Sequence, residues 1–118
     1  MPECPCGSRT DYARCCGPIH DGQRQAATAE ELMRSRYAAC VLGRTDHLYR
    51  SWHPRTRPDE VGLADVQWLG LTVVETVGGG PGDDTGIVEF VARYRGGSLR
   101  ERSRFARRAG RWMYLDAE

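Results

Sequence analysis

An α+β fold, with helices packed on one face of an antiparallel sheet and a small metal-binding module in front, is what this 118-residue sequence predicts. Three observations carry the prediction. Four cysteines crowd the first sixteen residues. Helical periodicity governs residues 28–53. From residue 66 the period drops to two and turn signals recur between short runs. Helices followed by a run of hairpin-linked strands make an α+β domain rather than alternating βα units.

Cys4, Cys6, Cys15 and Cys16 are spaced C-x-C-x8-C-C. Four thiolates complete a tetrahedral shell around a structural Zn²⁺ and leave no open coordination position, so such a site organises chain rather than activating water. Gly7-Ser8 supplies the turn that brings Cys4 and Cys6 to one metal. Adjacent Cys15 and Cys16 point in different directions, so one of them must approach from a helix end or turn, and Gly17-Pro18 is expected to end that short element. The bound cluster would carry a local charge of about −2, which Arg9 and Arg14 could offset. A disulfide pair conflicts with the absence of a leader segment. The spacing matches none of the usual iron–sulfur patterns. His20, on a connector, is expected to be an ordinary loop histidine, the alternative being a spare ligand that replaces a cysteine. Zinc is therefore the expected cofactor.

Residues 17–27 resemble a connector, which sets the expected division into a zinc module (residues 1–22) and an α+β domain (residues 23–118). Thr28 with Glu31 forms a capping box. Met33, Tyr37, Cys40 and Val41 then mark one helical face, and Gly43 ends the helix. A second helix is expected from a Thr45 N-cap through Leu48 and Trp52, stopping at His53 because Pro54 follows. Residues 54–64 form a loop. Strands are expected over 66–77, 87–95, 99–107 and 111–116. The stretch 78–86, lacking the Lys-Ser/Thr of a phosphate loop, reads as flexible linkage.

A Gly96-Gly97 turn would set Arg95 against Ser98. One face of the hairpin then carries Tyr94–Leu99, Ala92–Glu101, Phe90–Ser103 and Val88–Phe105; the other carries Arg93–Arg100, Val91–Arg102 and Glu89–Arg104. The first face is apolar and must meet the helices. Continuing through Ala109-Gly110 adds Trp112, Tyr114 and Asp116 to it. Glu101, Ser103 and Asp116 thus land on an apolar surface, where a carboxylate is costly unless hydrogen-bonded or in a wet cavity. With His53 and Tyr37 they are the candidate pocket residues. The alternative is a structural network in which Glu101 accepts from Arg34, Arg36 or a helix N-terminus.

Composition bounds the partners. The net charge is +1, and all 17 basic residues are arginine. That balance argues against a nucleic-acid protein driven by bulk charge, and the stripe Arg100, Arg102, Arg104, Arg107 and Arg108 lacks interleaved exposed aromatics. No apolar run approaches 18 residues, so no membrane span is expected, and the opening Met-Pro-Glu-Cys lacks a targeting leader, so a cytoplasmic location is.

The segment Cys4-Pro-Cys-Gly-Ser-Arg-x3-Ala-Arg-Cys15-Cys16-Gly-Pro resembles the SEC-C zinc motif found at the C-terminus of the SecA translocase, with Arg9 at a usual glycine and Cys16 where histidine is common. Cys15-Cys16-Gly-Pro-x-His20, Thr28-Ala-Glu-Glu-Leu-Met-Arg-Ser-Arg-Tyr37, Trp52-His-Pro-x-x-Arg57, Trp68-x-Gly-Leu71, Val88-Glu-Phe90, Glu101-Arg-Ser-Arg-Phe105 and Gly110-Arg-Trp-Met-Tyr114 resemble the YchJ-like bacterial proteins. That resemblance implies a nuclear-transport-factor-2-like (NTF2-like) cone of helices in a curved sheet, and supports Cys4, Cys6, Cys15 and Cys16 as ligands. It supplies no catalytic residue. Two functions remain open. One is a non-catalytic adaptor that uses the zinc module for protein contacts, as the motif does in SecA. The other is a small-molecule-binding cone, or an isomerase or dehydratase, with Glu101, Asp116, His53 and Tyr37 in the cavity.

Overall fold

The computed structural model describes residues 2–118. Its elements are a single 3-10 turn (Tyr12–Arg14), helices α1 (Cys16–His20), α2 (Ala29–Leu42) and α3 (Thr45–Arg50), and strands β1 (Trp68–Gly78), β2 (Thr85–Tyr94), β3 (Gly97–Arg108) and β4 (Arg111–Ala117). The strands form one antiparallel meander in the order β1-β2-β3-β4. Helix α2 lies across its inner face. Leu32, Met33 and Tyr37 of α2 meet Val88, Phe90, Ala92, Phe105 and Trp112 of the sheet, and Ile19 of α1 joins the same core. The fold class is the expected α+β.

Helix α2 starts as its capping signal requires. The Thr28 hydroxyl accepts from the Glu31 amide (3.1 Å), while the Glu31 carboxylate accepts from the Ala27 amide (3.0 Å), one residue outside the usual reciprocal partner. Gly43 closes the helix in the left-handed conformation. Between Leu32 and Ala39 no residue of α2 is exposed, although Arg34, Ser35 and Arg36 lie in that stretch. Val41, expected on the core face, is 37% exposed.

Several local expectations differ. Gly17-Pro18 does not end a helix: α1 runs through both, because proline is compatible with a first helical turn, where its missing N–H has no partner to lose. His20 is therefore a buried helical residue rather than the expected loop histidine. Helix α3 is capped by Arg44 rather than Thr45 and stops at Arg50. Beyond it the chain runs parallel to β4: the Tyr114 amide donates to the Ser51 carbonyl (2.8 Å), and the His53 amide donates to the Tyr114 carbonyl (2.7 Å). The glycine-rich segment after β1 is a tight hairpin base rather than linkage. Gly79 and Gly86 approach so closely that a Cβ on Gly86 would lie 2.5 Å from the Gly79 Cα. The Gly79 carbonyl accepts from the Ala29 amide at the start of α2, and Arg107 donates to the Asp83 and Pro81 carbonyls.

The β2–β3 turn is Arg95-Gly96, not Gly96-Gly97, with the single positive φ it requires at Gly96 (106°). Each β2 residue consequently meets the β3 residue two positions earlier than expected: Phe90 faces Glu101, Val88 faces Ser103 and Glu89 faces Arg102. A two-residue slip preserves the faces, so the inner row is as anticipated although its pairs are not. On the outer face Glu89 accepts from Arg100 and Arg102, and Arg104 pairs with Asp116. Three arginines of the suspected nucleic-acid stripe are thereby neutralised.

A polar knot joins the N-terminal segment to the helices. His20 Nε2–H donates to the Ser35 carbonyl (2.7 Å), which can only accept, so Nδ1 accepts from the Tyr12 hydroxyl (2.7 Å). The Ser35 hydroxyl donates to the Leu32 carbonyl (2.7 Å) and accepts from His47 Nε2–H (2.9 Å). The two imidazoles lie 4.8 Å apart, and both are buried.

Burial, then the neighbouring His20 and Arg36, depress the His47 pKa from 6.5 to about 3. The unfolded chain therefore takes up this proton well before the folded one does. The stabilisation from neutral His47 is complete above pH 6.5 and is lost as pH falls toward 3, with a limiting slope of about 1.4 kcal/mol per pH unit. His47→Gln keeps a donor to Ser35 but cannot titrate. Urea unfolding at pH 8 and pH 5 should show a smaller acid loss for the variant than for the wild type; equal losses would contradict the assignment.

The β3–β4 turn holds Ala109 at φ 52° and Gly110 at φ 79°. Two positive φ values define the turn type that favours Asn-Gly, and a left-handed alanine is strained. Ala109→Asn should stabilise the chain by about 0.5–1 kcal/mol in denaturant titrations.

Candidate functional site

The four N-terminal cysteines converge. A short antiparallel bridge between Glu3 and Asp11 closes a knuckle, with the Cys4 amide donating to the Thr10 carbonyl (2.8 Å). Between the 3-10 turn and α1 the backbone bends at Cys15 (φ −121°, ψ −103°), which turns two sequence-adjacent thiols toward one point. All four Sγ atoms lie within 4.8 Å of one another. Cys6–Cys15 is 3.6 Å and Cys15–Cys16 is 3.9 Å. A tetrahedral shell with metal–sulfur bonds of about 2.3 Å has edges of about 3.8 Å, so the donor set fits a four-thiolate metal centre.

The electrostatics point the same way. A hydrogen bond from the Cys16 thiol lowers the Cys6 pKa to about 4, whereas burial raises Cys4 to about 11. Cys16 is pushed up by its hydrogen bond to Cys6 and by burial. One thiolate forms readily, and further negative charge in the cluster calls for a cation. The knuckle is held on α2: Arg34 donates to the Cys6 carbonyl (2.6 Å), Arg24 donates to the Cys15 carbonyl (3.0 Å), and Ala38 packs against the buried cysteines. Arg9 and Arg14, expected to offset the cluster's charge, are exposed instead. Both ring nitrogens of His20 are engaged in the polar knot.

The second candidate site is a cavity of about 240 Å³ between α2 and the sheet. Its walls include Tyr37, Trp52, Trp68, Phe90, Phe105 and Tyr114. Of the five expected pocket residues it gathers Tyr37, Glu101 and Ser103. The Ser103 hydroxyl donates to the Glu101 carboxylate (2.6 Å), so Glu101 is served by its own strand rather than by Arg34, Arg36 or a helix end. Exposure falls along β3 from Leu99 through Glu101 to Ser103 and Phe105, which places the mouth at the Leu99 end.

Asp116 and His53 do not join them. A β-bulge after Arg104 pairs Arg104 with Asp116 but Phe105 with Tyr114, so Leu115 is the extra residue. The bulge reverses the alternation, and Asp116 emerges on the outer face in a two-pronged pair with Arg104 (2.6 and 2.7 Å). That pair lowers its pKa. His53 follows β4 through its backbone, and its Nδ1 accepts from the Arg55 amide (3.1 Å) outside the cavity.

The cavity also takes in Arg36, a charged residue not among the expected five. Its guanidinium carbon sits 4.7 Å from the Tyr114 ring centroid and 5.3 Å from that of Trp52. Nη1 donates to the Leu48 carbonyl (2.9 Å) and the Ser51 hydroxyl (2.6 Å). Burial lowers its pKa to about 10, so it remains charged at neutral pH. A signal for it existed: Met33, Arg36, Tyr37 and Cys40 fall at i, i+3, i+4 and i+7, so an arginine occupied the apolar face.

Among the described residues no helix is long and apolar enough to cross a membrane. The chain matches the family model of the YchJ middle NTF2-like domain over residues 28–117 and that of the SEC-C motif over residues 3–18. It is 52% identical to a UPF0225 protein of Streptomyces coelicolor, over 99% of this chain and 95% of that protein. A solution structure of a SEC-C motif containing protein from Rhodopseudomonas palustris is similar, with a TM-score of 0.83 and 37% identity, over 99% of this chain and 98% of the other. A crystal structure of a SEC-C motif containing protein from Psychrobacter arcticus gives 0.82 and 28% identity, over 98% and 81%. Knuckle, cone and full-length relatives agree: the chain belongs to the UPF0225 family, in which a SEC-C motif precedes a YchJ-type NTF2-like domain.

Proposed function

We propose that this is a non-catalytic binding protein in which a structural Zn²⁺, held by Cys4, Cys6, Cys15 and Cys16, braces a cone that holds a small ligand. The observation that carries the reading is the hollow inner face, a 240 Å³ aromatic-walled space open at one end. A closed four-thiolate shell would supply no reactive position, only chain organisation. The cavity also favours binding over catalysis. Glu101 faces no histidine across it, and burial raises the Cys40 thiol pKa, which keeps that potential nucleophile protonated. Free thiolates suit a reducing compartment such as the cytoplasm.

A second reading is protein contact through the zinc module. The knuckle turns residues 7–10 outward, with Arg9 and Arg14 exposed beside them, and the likeness to the SecA motif supports a protein partner there.

Residues 1–22 would carry the metal and residues 23–118 the cone, but the contacts between them support a single cooperative unit. Purified under reducing conditions, the protein should contain one zinc per chain by elemental analysis. Stripping it with a strong chelator should lower the melting temperature of the whole chain, with circular dichroism and tryptophan emission moving together. Iron in place of zinc, or a cone transition unchanged by chelation, would contradict these expectations.

The ligand reading is tested by screening single-ring compounds for a raised melting temperature and altered emission from Trp52 and Trp68. Ala92→Phe, which fills the cavity, should abolish both responses. A screen in which no compound gives either response would remove the reading.

A further inference from the structure

We infer that the cone is a carboxylate-binding site, in which the side-on edge of the Arg36 guanidinium takes the acid group of a small organic acid and the aromatic walls take its apolar body. This rests on the reading of the cone as a ligand-holding cavity and names the class of ligand.

The argument starts from hydrogen-bond accounting. A guanidinium has five N–H donors. Nη1 makes the hydrogen bonds to Leu48 and Ser51, while Nε and Nη2 make none with the described residues. Yet among the described residues no side-chain nitrogen or oxygen is both fully buried and unpartnered. The free Nε–Nη2 edge is therefore not sealed within protein, and the open space that Arg36 lines is the cavity. That edge is the one that binds a carboxylate through two parallel hydrogen bonds.

The charge on Arg36 meets no carboxylate in direct contact among the described residues, and Glu101 in the same cavity acts on it only through space. Among the described residues it makes no salt bridge, whereas Arg24, Arg34, Arg44, Arg50, Arg100, Arg102 and Arg104 each do. Trp52 and Tyr114 stack on the guanidinium, and Leu48 and Ser51 fix its other end. The side chain is thus pre-oriented before any ligand arrives, which reduces the ordering cost of binding. Burying a cation among aromatic rings with no carboxylate bonded to it is unfavourable, and a bound acid would relieve that cost.

Glu101 limits the ligand. Its carboxylate lies between mouth and floor on the same β3 row, so it repels a second acid group and accepts from a ligand hydroxyl or amine. The cavity volume falls just below the usual range for drug-sized ligands. The class that fits is a monocarboxylic acid about the size of a single substituted ring.

The test uses the full zinc-loaded chain with benzoate and its uncharged isostere benzamide, followed by calorimetry and by the emission of Trp52 and Trp68. Wild-type protein should bind benzoate at least about tenfold more tightly than benzamide, as loss of a charge-assisted pair implies. Glu101→Gln should tighten benzoate several-fold and leave benzamide unchanged. Arg36→Met should erase the preference for the acid. Equal binding of the two compounds to wild-type protein would overturn the carboxylate assignment while leaving the cone as a binding cavity. Binding of neither would overturn the assignment, and the screen above would then show whether the cavity takes any ligand. The comparison of the two compounds and the Glu101→Gln result stand even if Arg36→Met fails to fold.

Discussion

Helix α2 has no face to give to solvent between Leu32 and Ala39, and the rest of the molecule is arranged around that constraint. Its apolar side chains meet the sheet in the ordinary way. Its polar ones are enclosed too, and an enclosed polar group left without a partner costs about 1–3 kcal/mol. Each therefore recruits something. Arg34 recruits the backbone of the cysteine knuckle, Ser35 recruits both buried histidines, and Arg36 recruits α3 and the segment after it. Cysteine knuckle, histidine knot and cavity are three answers to the same requirement, set at three successive residues of one helix.

That arrangement explains why the N-terminal knuckle and the cone share packing although each has its own sequence signature. The knuckle alone is too small to bury a core. Docked on α2 it encloses Ala38 with the thiols, while Ile19 of the short helix that follows reaches the main core. Buried polar networks of this kind are costly when incomplete and specifying when complete, so they favour one docking geometry over the many a flexible tether would permit.

The fold class was legible because period-two alternation and turn glycines are local signals. The inner row Val88, Phe90, Ala92, Glu101, Ser103 and Phe105 was legible even though the hairpin turn was misplaced, since a shift of two residues leaves every side chain on its face. The cysteine cluster was legible from residue type and spacing alone. What resisted reading depends on tertiary context. The run of α1 through Gly17-Pro18 depends on a backbone bend at Cys15. The order of the glycine segment depends on Ala29 and Arg107, both far away in sequence. Arg36 stands on the apolar helical face in plain view, but an arginine is ordinarily assigned to solvent, and only the rings of Trp52 and Tyr114 make its burial tolerable.

The bulge at Leu115 bears on how such a cavity changes over time. The bulged pairing decides whether Asp116 faces the cavity or the surface, and so whether the cavity holds one carboxylate beside Arg36 or two. Charge inside this cone is thus controlled by strand register as well as by residue identity. Closing the bulge with Leu115 kept in register would set Asp116 opposite Ser103 on the inner face, whereas deleting Leu115 would leave Asp116 opposite Arg104 on the outer one. Relatives of equal composition that pair β4 with or without this bulge would then differ in the charge of the cavity while keeping the same core.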